Sequence, residues 1–209
     1  MRVFILCTGR SGSAAIIKAC KHVKNYSSSH ESLTKEFGKK RFDYPENHIE
    51  SDNRLSWHLG CLHKLYGDEA FYVHLKRNTD DVAQSLLKRF YRPRGIMDAF
   101  CDGIRRYPSV KLSPEMRLQA CYDYIDTVDS NIEHFLSDKS NIMTLKIERI
   151  KEDFPVFWKR IGAKGNIEDA LNVFDKRHNT SKKRSLNFNN RLKLILIGEW
   201  RHILMWIKS

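Results

Sequence analysis

The chain has 209 residues, of which 41% are hydrophobic and 30% charged, enough apolar content for a core and enough charge for a well-solvated surface. The balance of 37 Lys and Arg against 25 Asp and Glu leaves +12, which points to an anionic partner: nucleic acid, an acidic membrane surface, a phosphorylated cofactor or an acidic substrate. The length fits a single globular domain over 1–209. The five cysteines, Cys7, Cys20, Cys61, Cys101 and Cys121, form no CxxC and sit mostly inside apolar patterns. They read as buried free thiols of a reducing compartment rather than as a zinc or redox pair.

An apolar run at 2–7 (RVFILC) reads as a fully buried strand. It begins at once, with no secretory segment ahead of it, so the expected compartment is the cytoplasm. A Gly/Ser loop follows, then a helix over 12–23 with Ile16, Ala19, Cys20 and Val23 on one face. "NYSSSHES" (25–32) reads as a second short strand ending in a polar loop. Residues 34–52, with "GKKR" and a proline, read as a mobile loop. Leu55, Leu59, Leu62 and Leu65 recur at helical spacing up to Gly67. "AFYVHLK" (70–76) is the next strand, followed by a helix capped by Asn78 or Thr79, with Asp80 and Asp81 in its positive first turn.

Residues 91–112 are basic and irregular, with one short helix. Ser113, Pro114 and Glu115 open a long helix whose stripe runs from Leu118 to Phe135. "NIMTLKI" (141–147) is a strand and "DFPVFWKRIGA" (153–163) a helix. "RHNTSKKRS" (177–185) is a basic loop before a final amphipathic helix, "LKLILIGEWRHILMWI" (192–207), which Glu199, Arg201 and His202 make too polar to span a bilayer. Strands alternating with helices predict an α/β fold: a three-layer sandwich with a central, mainly parallel sheet, like that of P-loop NTPases.

The loop "CTGRSGSAA" (7–15) has the makings of an anion cradle. Gly9 and Gly12 permit tight turns, Ser11 and Ser13 supply hydroxyls, and Arg10 supplies a permanent charge with a planar fork. It is neither GxxxxGK[ST] nor GxGxxG. Further on, "KRNTDDVAQS" (76–85) sets Arg77 at a strand end and Ser85 two helical turns into the next element, where both can reach one anion.

Together the two stretches resemble the sulfotransferase superfamily. The resemblance implies that Thr8, Gly9, Arg10, Ser11, Gly12, Ser13 and Ala14 bind the 5′-phosphosulfate of 3′-phosphoadenosine-5′-phosphosulfate (PAPS), and that Arg77 and Ser85 bind its 3′-phosphate. "NIMTLKIERI" looks like the family's later strand ending in a Glu, and "RHNTSKK" is similar to its C-terminal cofactor loop, in which Lys182, with Lys183 and Arg184, would close over the cofactor. The loop departs from the common pattern in carrying Arg10 where many members have Lys, and Ala14 where a Thr is common.

The implied activity is sulfuryl transfer from PAPS to a hydroxyl or amine acceptor, a sugar or an acidic compound suiting the basic loops. Arg10 would stabilise the leaving phosphate, and Glu31 or His30, beside the first loop, would take the acceptor's proton. "GKKR" (38–41) and "RPRG" (92–95) are candidates for the acceptor side, and Trp57, Tyr66 and Phe90 for stacking on adenine. No metal, no nucleic-acid partner and no transmembrane segment are expected; His58 and His63, five apart, do not suit a shared metal. Asn25 and Asn179 match glycosylation acceptors by coincidence. Two alternatives remain open: a small nucleotide-dependent kinase with an altered phosphate loop, and a non-catalytic polyanion or RNA binder.

Overall fold

The computed structural model describes residues 1–92 and 95–175. Five strands form one sheet: β1 (Arg2–Leu6), β2 (Ser27–His30), β3 (His48–Ser51), β4 (Phe71–Lys76) and β5 (Ile142–Lys146). Their order is β2-β3-β1-β4-β5 and every pairing is parallel. The helices are α1 (Ser13–Cys20), α2 (Leu59–Tyr66), α3 (Thr79–Leu87), α4 (Ile96–Asp98), α5 (Pro114–Leu136), α6 (Ile150–Arg160) and α7 (Ile167–Asn172).

A parallel sheet must be covered on both faces, and the central strands are apolar on both. In β1, Val3 and Ile5 face α1, α6 and α7, packing with Ile16, Phe154 and Phe157, while Phe4 and Leu6 face the opposite layer with Val82, Leu86 and Val128 of α3 and α5. Strand β4 alternates likewise, with Phe71, Val73 and Leu75 toward the first layer and Tyr72 toward the second. The result is the three-layer α/β sandwich that the alternation of elements predicts.

The connections locate the functional edge. The chain leaves β1 for a helix on one face and leaves the adjacent β4 for a helix on the other. Beyond the carboxyl ends of such a strand pair the two connections part and open a crevice.

Several expectations need correction. Strand β3 lies inside the segment read as a mobile loop, which also carries a 3-10 turn at Gly38–Phe42. The pattern missed β3 because His48 and Glu50 occupy the inward positions of one face, each 5% exposed or less. The leucine-spaced helix divides at His58 (φ −125°) into a 3-10 turn, Asn53–Trp57, and α2. Helix α6 starts at Ile150, before the expected segment. Four of the five cysteines are buried, but Cys61 is exposed. The basic loop at 177–185 and the final helix fall outside the described residues. Among the described residues no helix is long and apolar enough to cross a membrane.

Candidate functional site

The crevice beyond β1 and β4 holds a cleft of about 1140 Å³. Its floor is the 8–14 loop. Gly9, Arg10 and Gly12 all have positive φ (76°, 60° and 96°), a curled backbone of the kind that gathers N–H groups around an anion. Gly12 is also closely approached: a Cβ there would lie 2.6 Å from Ile147 Cδ1, and that side chain would have to shift. As the N-cap of α1 it offers no side-chain acceptor, and the first turn holds no acid, so the helix's positive end has no competing carboxylate of its own.

The loop is braced from behind. The buried Tyr124 hydroxyl of α5 donates to the Thr8 carbonyl at 2.6 Å, and Asn53 packs against Gly9. Ser11 is buried beside the Cys7 thiol, whose pKa burial pushes up to about 11, so Cys7 is no nucleophile near neutrality. The Ser11 hydroxyl has no well-formed hydrogen bond among the described residues. A buried, under-satisfied hydroxyl in a curled Gly loop fits an anionic ligand.

The second segment meets the first. Arg10 Nε donates to Ser85 Oγ at 3.0 Å, and Arg77 Nη1 donates to the Arg10 carbonyl at 3.2 Å. Arg77 is held in turn by Asp81 at 3.0 Å. Asn78 caps α3 by accepting from the Asp81 N–H, and its own N–H donates to Glu148 just past β5 at 2.7 Å. Arg89 and Arg92 reach the same cleft from beyond α3. Burial first, then the charges of Arg89, Arg77 and Arg92, lower the pKa of Arg10 from its ordinary value. Crowded guanidinium groups repel one another, and a bound polyanion relieves that repulsion.

The opposite wall is different. His30 ends β2, and its Nε2 lies 3.0 Å from Ser13 Oγ. Glu31 follows in a left-handed conformation (φ 54°), its carboxylate 3.3 Å from Arg54 Nη1. Thus Thr8, Gly9, Arg10, Gly12, Ser13, Ala14, His30, Glu31, Arg77 and Ser85 all line one cleft, with Ser11 beneath it. Lys182 lies outside the described residues.

The remaining candidates divide. Arg41 of "GKKR" is buried, bonded to Asp52 Oδ2 at 2.6 Å and to the Tyr44 hydroxyl, so it braces the fold, while Lys39 and Lys40 are exposed and outside the lining of the cleft. Of "RPRG", Arg92 lines the cleft and residues 93–94 lie outside the described residues. Trp57, Tyr66 and Phe90 are absent from the lining; they pack on the core, Trp57 against Phe100 and Tyr124, Tyr66 against Phe4.

The sequence reading missed Arg54 and Arg89. Arg89 lies one helical turn after Ser85, a spacing that could have marked it. Arg54 follows the unrecognised β3. That strand also leads into Asp52, a residue type a magnesium-dependent kinase would want there. Yet Oδ2 of Asp52 is taken by Arg41, Oδ1 accepts the Arg54 N–H at 2.8 Å, and Asp52 does not line the cleft.

No family model matches the chain, and no curated protein matches it in sequence. Two solved chains match it in fold. One is mouse sulfotransferase SULT7A1 complexed with PAP, with a TM-score of 0.53 at 12% identity, covering 83% of this chain and 63% of that one. The likeness is one of fold, and this chain spans less than two thirds of that structure's length.

Proposed function

We propose that the protein is a sulfotransferase that moves a sulfuryl group from PAPS to a hydroxyl or amine acceptor. The observation that carries this reading is the hydrogen bond from Arg10 to Ser85, reinforced by the one from Arg77 to the Arg10 carbonyl. It joins a Gly/Ser loop suited to one anionic group with an Arg/Ser pair suited to a second, in a single cleft. A donor with a 5′-phosphosulfate and a separate 3′-phosphate has that two-ended charge.

In this reading the 8–14 loop holds the phosphosulfate with backbone N–H groups and the Ser11 and Ser13 hydroxyls. Arg77 and Ser85 hold the 3′-phosphate, and Arg10, between them, stabilises charge on the leaving phosphate. The acceptor oxygen or nitrogen bonds to sulfur as the sulfur–oxygen bond to the leaving phosphate breaks. Its proton passes to the Glu31 carboxylate or the His30 imidazole on the facing wall. Leu86, Ile96 and Met97 are among the apolar residues that line the cleft and could pack against the adenosine.

Calorimetric titration with PAP (adenosine 3′,5′-diphosphate) and with ATP plus magnesium tests the reading. The expected outcome is tight binding of PAP and weak, magnesium-independent binding of ATP. Preference for magnesium-ATP would hand the site to a kinase; no nucleotide binding, with steeply salt-dependent binding of RNA, would make it a polyanion module.

A further inference from the structure

Glu50 is an unusual residue to find in the middle of a parallel sheet. It sits on β3, is 0% exposed and does not line the cleft. Burying a carboxylate is costly unless its oxygens are occupied. Here both are: Oε1 accepts the Ser32 N–H at 3.0 Å, and Oε2 accepts the Ser32 hydroxyl and lies 3.2 Å from His48 Nε2. His48 Nδ1 in turn lies 2.7 Å from Ser27 Oγ, at the start of β2. Glu50 therefore bonds forward to Ser32, two residues past β2, and through His48 back to the start of that strand.

What it secures is the turn that carries Glu31. A non-glycine residue at φ 54° is strained, and such strain persists only where neighbouring contacts over-determine the backbone. Those contacts are present: the Glu31 N–H donates to the Ser51 carbonyl at 3.0 Å, Thr34 Oγ1 donates to the Glu31 carbonyl at 3.0 Å, and Glu50 grips the next residue twice.

We infer that Glu50, acting through Ser32, is a positioning residue that holds the His30–Glu31 wall in its working geometry. The inference rests on the sulfotransferase reading only for what that wall does. Glu50 touches nothing in the cleft, so its role is separable from binding.

The test uses Glu50→Gln, which keeps volume and removes charge, and Ser32→Ala, which cannot empty the core if Glu50→Gln fails to fold. Ser32→Thr, which retains the hydroxyl, is the rescue. Three quantities are read below the melting temperature: hydrogen exchange of the Ser32 amide, PAP affinity, and release of sulfate from PAPS with water as the acceptor. The expected result is at least fivefold faster exchange in Glu50→Gln and Ser32→Ala, PAP affinity within twofold of wild type, and sulfate release down at least tenfold at unchanged KM. Ser32→Thr is expected to behave as wild type in all three.

Unchanged exchange in both variants overturns the inference, and so does faster exchange with wild-type sulfate release. If the wild-type protein neither binds PAP nor releases sulfate, the sulfotransferase reading falls. The exchange measurement then decides alone whether Glu50 holds the turn.

Discussion

The two walls of the cleft are built by different means. The wall that includes α3 is cationic: Arg77, Arg89 and Arg92 crowd Arg10, and the only carboxylate among its described lining residues, Asp81, pairs with Arg77. The wall at the end of β2 presents His30 and Glu31 on a strained turn, with Arg54 alongside. One wall is suited to hold negative charge, the other to accept a proton. If that division is correct, substitutions should separate affinity from turnover according to the wall they fall on.

The sharpest test is Glu31→Gln, which keeps size and hydrogen bonding but removes proton acceptance. Turnover is expected to fall about 10²–10⁴-fold, the usual worth of general base catalysis, with PAP affinity unchanged. Steady-state kinetics beside calorimetry reads both. Near-normal turnover with a large loss in His30→Gln would move the role one residue back, onto the imidazole beside Ser13.

On the other wall, Arg77→Ala should cost about 1.5–3 kcal/mol of PAP affinity, the range for hydrogen bonds to charged groups. Arg10→Ala should lower affinity and turnover together, because the proposed role sets it against the leaving phosphate. Equal PAP affinity in wild type and Arg77→Ala would remove Arg77 from the binding wall.

The two walls were unequally legible in the sequence. The cationic wall stands on β1 and β4, whose apolar runs end abruptly at Gly/Ser or Arg/Asn, so strand, loop and helix could be read residue by residue. The His30–Glu31 wall depends on β3, whose sequence HIES has buried polar residues on one face. Hydrophobic periodicity registers burial only when the buried residues are apolar, and His48 and Glu50 are buried because they are paired. Missing β3 hid Arg54 and left the turn at Glu31 without its backing. The adenine candidates failed for the opposite reason: a buried aromatic in a core and one in a binding site look alike in sequence, and Trp57, Tyr66 and Phe90 belong to the core.

The floor between the walls has its own test. Gly12→Ala places a Cβ 2.6 Å from Ile147 Cδ1 at φ 96°, and about 1–3 kcal/mol of stability should be lost to the backbone strain. Urea denaturation measures it. Ile147→Val removes Cδ1 but keeps the γ carbon 3.0 Å from the added Cβ, so the double variant should recover part of the steric loss and leave the conformational loss.

The smallest expected effect discriminates between two ways in which a cationic wall works. In the proposed function Arg77 touches the ligand, whereas Arg92 is exposed and acts on Arg10 through its charge. A partly buried contact is screened much less by added salt than a field between exposed charges, for which the Debye length falls from about 30 Å at 0.01 M to about 3 Å at 1 M ionic strength. At low salt Arg92→Gln should therefore weaken PAP binding by about two- to fivefold, in keeping with the fraction of a kcal/mol typical of exposed charges. At 1 M the two proteins should bind PAP equally, while Arg77→Ala keeps most of its deficit. A salt series of calorimetric titrations on the three proteins measures this. If the Arg92→Gln deficit persists undiminished at 1 M, Arg92 is a direct ligand, and the contact surface of the cationic wall reaches past α3 to that residue.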